Sequence, residues 1–213
     1  LEHACQRARR GETASAGNHA ISNSVLDAIQ QPVFLVGAER SGSTLLRLML
    51  DHHPEIAFNL ESEFMVTQIS DDGVYPEIGA YREWLIQNRV FKHSRFVIDE
   101  RLSFSELLND FLAQKMTRDA KRFVGATVHY QFSKLRWVWP NAKFIYLFRD
   151  GRDVARSVVQ MGWAGNTYVA ADWWVGAERE WDMLRQQLPK DRWIEISHED
   201  LIRDTQTVLT KVC

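Results

Sequence analysis

Residues 32–50 read PVFLVGAERSGSTLLRLML, and they decide the fold. The apolar run from Pro32 to Val36 predicts a short buried strand. A turn of small residues follows, from Gly37 to Thr44. Leu45, Leu46, Leu48, Met49 and Leu50 then open a helix over 43–52, with Arg47 among them. His52-His53-Pro54 ends that helix, because proline disfavours helical geometry in the residue before it. A strand, a small-residue turn and a helix N-terminus together form an anion cradle. The first amides of the helix have no intrahelical acceptor, and the helix dipole favours negative charge there.

The frame Gly37-x-x-x-x-Gly42-Ser43-Thr44 departs from the nucleotide P-loop at one position: Ser43 stands where the phosphate-binding lysine belongs. The positive charge is Arg40, inside the loop. An ordinary strand-to-helix loop could use the same serines and threonine as caps. Such a loop has no use for an arginine directly after a buried strand, so the residues point to a site for a phosphate or sulfate group, and not to an ordinary ATPase or GTPase.

The rest of the chain sets the context. Its 213 residues fit one domain, with 45% apolar and 25% charged residues. A formal net charge of −2 argues against nucleic acid as a partner, so any anion site is local. Cys5 and Cys213 lie at opposite ends, which is neither a disulfide framework nor a metal cluster. Residues 1–24 read as a flexible lead-in and 25–213 as the domain. No apolar stretch approaches the roughly 20 residues that span a bilayer. The expectation is a cytoplasmic protein without a membrane segment in this chain, an anchor upstream of Leu1 being left open.

Strands are expected near 32–37, 56–59, 122–127, 142–148 and 193–196. Helices are expected near 25–30, 43–52, 61–70, 77–91, 104–119, 130–138, 152–160, 167–188 and 198–212. Ala142–Phe148, AKFIYLF, is an apolar and aromatic run apart from Lys143, as expected of a strand covered on both faces. Alternating strands and helices imply an α/β fold of three layers, a central parallel sheet flanked by helices.

A second anion site follows the strand 142–148. Arg149 stands at its carboxyl end, where open α/β sheets bind ligands, and its guanidinium can grip a phosphate with two prongs. Ser157 lies on the next helix, from which its hydroxyl can reach back. Asp150, Arg152 and Asp153 read as a local ion-pair cluster capping that helix.

These features resemble the sulfotransferases that use 3′-phosphoadenosine 5′-phosphosulfate (PAPS). Residues 33–51 look like the family's 5′-phosphosulfate loop and 142–158 like its 3′-phosphate motif. WIEISHEDLIRD, residues 193–204, looks like a later strand and Y-E-D-L segment, with His198 in place of Tyr. RSGSTLLRLMLDHHPEIAFNLESEF further resembles the subgroup of protein-tyrosine sulfotransferases and many bacterial enzymes. The resemblance implies a P-loop-like sulfotransferase fold with PAPS as co-substrate and no metal. It implies a cofactor site of Arg40, Ser41, Gly42, Ser43, Thr44, Arg149 and Ser157, and a catalytic pair of Arg40 and Glu61.

Glu61 matches the subgroup's base, a glutamate shortly after the H-P turn. A carboxylate within reach can take the proton of an attacking hydroxyl. Glu63 and His129 are rivals, since other branches of the family use a histidine after the third strand. His52 and His53 sit at a helix end, and His3, His19 and His93 show no ligand spacing. Of the eight tryptophans, Trp163 is the best placed to stack on adenine. The family's K-T-P lysine after the third strand is missing, because the segment here is Gly125-Ala126-Thr127-Val128.

The expected reaction moves a sulfonate from PAPS to an acceptor hydroxyl or, less favoured, an amine. Carbohydrate, lipid, peptide and small-molecule acceptors stay open, as does the oligomeric state. A P-loop kinase or NTPase with a degenerate loop is the alternative. A binding module that kept the pocket is a third.

Overall fold

The structure, a computed structural model, describes residues 28–213. The flexible lead-in expected over 1–24 and the first half of the helix expected over 25–30 lie outside them; residues 28–30 are helical. Five strands form one sheet: β1 (Val33–Val36), β2 (Ile56–Glu61), β3 (Phe123–Val128), β4 (Lys143–Phe148) and β5 (Trp193–Ser197). Their spatial order is β2-β3-β1-β4-β5, and every pairing is parallel.

The strands alternate between two cores, as a period of two requires. Phe34, Val36, Phe144 and Tyr146 face one helical layer and Leu35, Ile145 and Leu147 the other. The larger layer contains α2 (Ile78–Gln87), α3 (Arg89–Ser94), α4 (Phe104–Asp119), α6 (Gly151–Gln160) and α7 (Thr167–Arg185), with the short α5 (Leu135–Val138) at its margin. On the opposite face lie α1 (Ser43–His52), α8 (His198–Arg203) and α9 (Thr205–Val212). Helix α1 buries Leu46 and Leu50 against the sheet and leaves Leu45 and Leu48 exposed. No helix among the described residues is long and apolar enough to cross a membrane.

Four expected helices are different in the structure; that over 130–138 is a 3-10 turn, Phe132–Lys134, followed by the short α5. The stretch 61–70 holds only a single 3-10 turn, Glu63–Met65. Strand β2 runs on to Glu61 with an irregularity beside Asn59, and Glu63 then turns inward, where its carboxylate accepts the backbone N–H of His129. The stretch 77–91 breaks at Asn88, whose side chain accepts the Phe91 amide and caps α3. The stretch 198–212 breaks at Asp204, which caps α9 through the Thr207 amide. Short polar side chains that bond the backbone compete with a continuous helix.

Parallel strands put all five carboxyl ends on one edge of the sheet. The β1–α1 loop emerges there between β3 and β4, where the chain order reverses direction. Gly37 begins the loop at φ 140, and a side chain on it would meet the Leu147 carbonyl oxygen at 2.3 Å. Gly37→Ala should therefore lower unfolding stability by roughly 1–3 kcal/mol or more. Denaturant melts measure it, and an unchanged midpoint would show that the loop has room to move.

Candidate active site

Three left-handed residues shape the loop: Gly37 (φ 140), Arg40 (φ 70) and Gly42 (φ 92). Gly42 is the N-cap of α1 and offers no side chain to the helix amides. The amides of Ser43 and Thr44 are thus left for an outside acceptor. Holding Arg40 left-handed costs about 1–2 kcal/mol, which its tertiary contacts offset. Its Nε donates to Ser157 Oγ at 3.0 Å, and Arg149 donates to its carbonyl at 3.2 Å. Its guanidinium carbon lies 5.7 Å from the Trp163 ring centre. Trp163 is in turn stacked on Trp173.

A cleft of about 480 Å³ opens over this loop. Glu39, Arg40, Gly42, Ser43, Thr44 and Leu45 line it from the loop and α1. Glu61 comes from the end of β2, His129 from the end of β3, Arg149 from the end of β4, and Trp163 from beyond α6. Arg40 and Arg149 therefore face one space. Arg149 Nε is buried with no protein partner, and Asp153 lies 3.7 Å from another of its nitrogens. The ion pair of Arg152 with Asp150, at 2.5 Å, is the local helix cap expected of it.

Not every expected residue reaches the cleft. Ser41 is 1% exposed, its amide donates to the Ala38 carbonyl at 3.3 Å, and its hydroxyl oxygen is buried with no protein partner. The physical reason is the tight turn at 38–41, which swings Ser41 under the loop. Ser157 is joined to the site through Arg40 and does not line the cleft. No lysine lines it, and its arginines are Arg40 and Arg149.

The opposite wall is acidic. Glu61 is exposed at the end of β2. Burial pushes the Glu63 carboxyl up to about 7, against the hydrogen bond from His129 N–H. Burial also raises Glu39, with the nearby His129 opposing and the charges of Glu63 and Glu61 adding. His129 is 6% exposed. Its Nδ1 lies 3.0 Å from the Gly37 carbonyl and its Nε2 3.4 Å from Ser43 Oγ.

Two site residues escape a reading of the sequence. Glu39 had a signal, a carboxylate next to the arginine of an anion loop. His198 was visible only as a departure from Tyr. Its ring lies so close over Gly42 that a Cβ there would be 2.2 Å from Nδ1. Burial first, and then Arg149, hold its basicity down.

Comparison with known proteins fits this geometry. The model of the sulfotransferase family matches residues 32–213. A protein-tyrosine sulfotransferase of Drosophila melanogaster is 28% identical over 137 residues, 60% of this chain and 25% of that protein. Protein-tyrosine sulfotransferase 1 of Mus musculus is 28% identical over 156 residues, 64% of this chain and 37% of its own length. The chain spans less than half the length of these curated relatives. In fold it is similar to the sulfotransferase domain from the Synechococcus PCC 7002 olefin synthase (TM-score 0.63, 19% identity, covering 95% of this chain and 76% of that one). It is also similar to the sulfotransferase domain from the curacin biosynthetic pathway (TM-score 0.61, 21% identity, covering 86% and 72%). With a match that runs from the first strand to the last residue, on a three-layer, P-loop-like sheet, this chain belongs to the sulfotransferase family.

Proposed function

We infer that the chain transfers a sulfonate group from PAPS to an acceptor hydroxyl, with Glu61 as general base. One observation carries this reading: two guanidinium groups from separate strand ends, Arg40 and Arg149, share a cleft with a solvent-facing carboxylate, Glu61. The arginine pair suits a donor with two separate anionic groups, and the carboxylate suits removal of a proton from an acceptor.

In this reading the sulfonate lies over Gly42, Ser43 and Thr44, and the 3′-phosphate meets Arg149 near Ser157. The acceptor oxygen attacks sulfur as its proton passes to Glu61. The bond from sulfur to the bridging oxygen breaks, that oxygen keeps the electron pair, and adenosine 3′,5′-bisphosphate leaves. Arg40 and the free loop amides stabilise the charge that builds on the bridging oxygen. Preorganised donors of this kind are worth roughly 3–4 kcal/mol each. Trp163, stacked on Trp173 at the rim, is the candidate platform for adenine. His129 suits the base role less well than Glu61, because it is buried and both of its ring nitrogens have protein neighbours. The acceptor class stays as broad as in the sequence reading, from small alcohols to carbohydrate, lipid and peptide. The named relatives above are protein-tyrosine sulfotransferases.

Binding of adenosine 3′,5′-bisphosphate that survives a chelator should be seen by calorimetry. Mg²⁺-dependent ATP binding in its place would favour a kinase or NTPase. Bisphosphate binding without transfer to any acceptor in a mass-shift screen would favour a binding module. Arg40→Ala should cut transfer by roughly 10²–10³ with the fold retained, at some loss of stability as its side-chain contacts go. Retained turnover would remove the loop from the mechanism. Glu61→Gln should leave bisphosphate affinity near normal and lower turnover by roughly 10²–10⁴. If turnover hardly changes in that variant and collapses in His129→Asn, the histidine is the base.

A further inference from the structure

A third strand end presses on the anion loop. Strand β5 pairs with β4 in a register that sets Ser197 beside Phe148. The next residues, His198 and Arg149, therefore leave neighbouring strands side by side. Helix α8 is fastened at this point. The Ser197 hydroxyl caps it by accepting the Asp200 amide at 3.2 Å and donates to Glu199 Oε2 at 2.9 Å. Glu199 Oε1 accepts the amide of Asp150, the residue after Arg149, at 3.2 Å. From this base the half-buried His198 ring reaches Gly42. A Cβ on Gly42 would stand 2.2 Å from Nδ1, 2.6 Å from Cε1 and 3.3 Å from Cγ, so the ring occupies the space that a side chain would take.

Gly42 is where the loop becomes a helix. It is the N-cap of α1, at φ 92, and its carbonyl accepts the Leu45 and Leu46 amides at 3.0 and 3.3 Å. The Ser43 and Thr44 amides that follow are the free donors of the site. Glycine has more conformational freedom than any other residue, so its own backbone does little to hold those amides in one direction. A neighbour that fills the space over its Cα restricts it, and His198 is that neighbour. Donors held in place beforehand bind an anion better than donors that must first be ordered. His198 is not among the residues that line the cleft, so its influence on a ligand passes through the loop. Burial first, and then Arg149, hold its basicity below the ordinary histidine value, with Glu199 and Asp153 opposing. Near neutral pH it therefore bears on the loop as a neutral ring.

We propose that His198 is a positioning residue of the donor site: its ring, lying against Gly42, keeps the Ser43 and Thr44 amides aimed at the 5′ anionic group of the donor. This rests on the sulfotransferase reading of the cleft, in which the loop takes the 5′ end of the donor and Arg149 its 3′-phosphate.

Calorimetry with adenosine 3′,5′-bisphosphate, adenosine 5′-monophosphate and adenosine 3′-monophosphate separates this role from others. His198→Ala should lose about tenfold in affinity for the two ligands that carry a 5′-phosphate, on the scale of one hydrogen bond. Its affinity for the 3′-monophosphate should stay at the wild-type value. His198→Phe, which restores a ring without a nitrogen, should recover the bisphosphate affinity. Equal losses for both monophosphates would make His198 a contact of the nucleoside or a general support of the fold. A loss confined to the 3′-monophosphate would tie it to Arg149. Either result overturns the proposal, as does an alanine variant that binds all three ligands normally or a phenylalanine variant as weak as the alanine one. Nuclear Overhauser contacts between the His198 ring and the Gly42 Hα protons in the wild-type protein give the answer even if the variants do not fold. They should persist when the bisphosphate binds, and their loss overturns the proposal. Absence of bisphosphate binding by the wild type overturns the donor-site reading beneath it.

Discussion

The site depends on the bonds that tie two separate β–α junctions together. Arg40 follows β1 and Arg149 follows β4; they lie 109 positions apart in sequence, yet Arg149 donates to the Arg40 carbonyl and Arg40 Nε donates to Ser157 on α6. Two cations side by side repel, and a left-handed arginine is strained. The arrangement holds because each guanidinium has a neutral acceptor, a carbonyl or a hydroxyl, as a partner. Asp153, 3.7 Å from Arg149, offsets part of that residue's charge, and the neutral partners leave the rest for the cleft, which is what recognition of an anion needs.

The sheet makes that bond possible. Five parallel strands put Glu61, the loop, His129, Arg149 and His198 at one edge, each at or just past the carboxyl end of a different strand. Charge then separates along the edge. Guanidinium groups gather on the β1–β4 side, and Glu39, Glu61 and Glu63 gather towards β2 and β3. A donor anion and an acceptor hydroxyl need these opposite environments, and in the proposed reaction sulfur crosses from one to the other. Burial pushes the Glu63 carboxyl up to about 7 and raises Glu39.

Much of this was legible in the sequence because it is local. The apolar runs, with β-branched and aromatic residues, fixed the strands to within a residue or two, and the PVFLVGAERSGST stretch announced strand, turn and helix in order. Three of the helices that failed did so where one polar residue, Asn88, Asp204 or Glu63, found a better backbone partner than a continued helix allowed. Asn88 and Asp204 each cap an amide three residues on, a local competition that the apolar period does not reveal, whereas Glu63 meets an amide 66 positions away. Where the Ser41 side chain comes to rest, buried beneath the loop, was likewise not legible in the sequence.

By itself the sequence determined the layers, the strand edge that carries the site and the residue types for an anion-handling reaction, because hydrophobic period and turn chemistry act over a few residues. Only the tertiary structure decided which charged groups meet. Glu39 joined Glu61 and Glu63, His129 was bound between Gly37 and Ser43, and His198 came to lie on Gly42. Contacts between strand ends are fixed by sheet order and register, and spacing along the chain does not encode either.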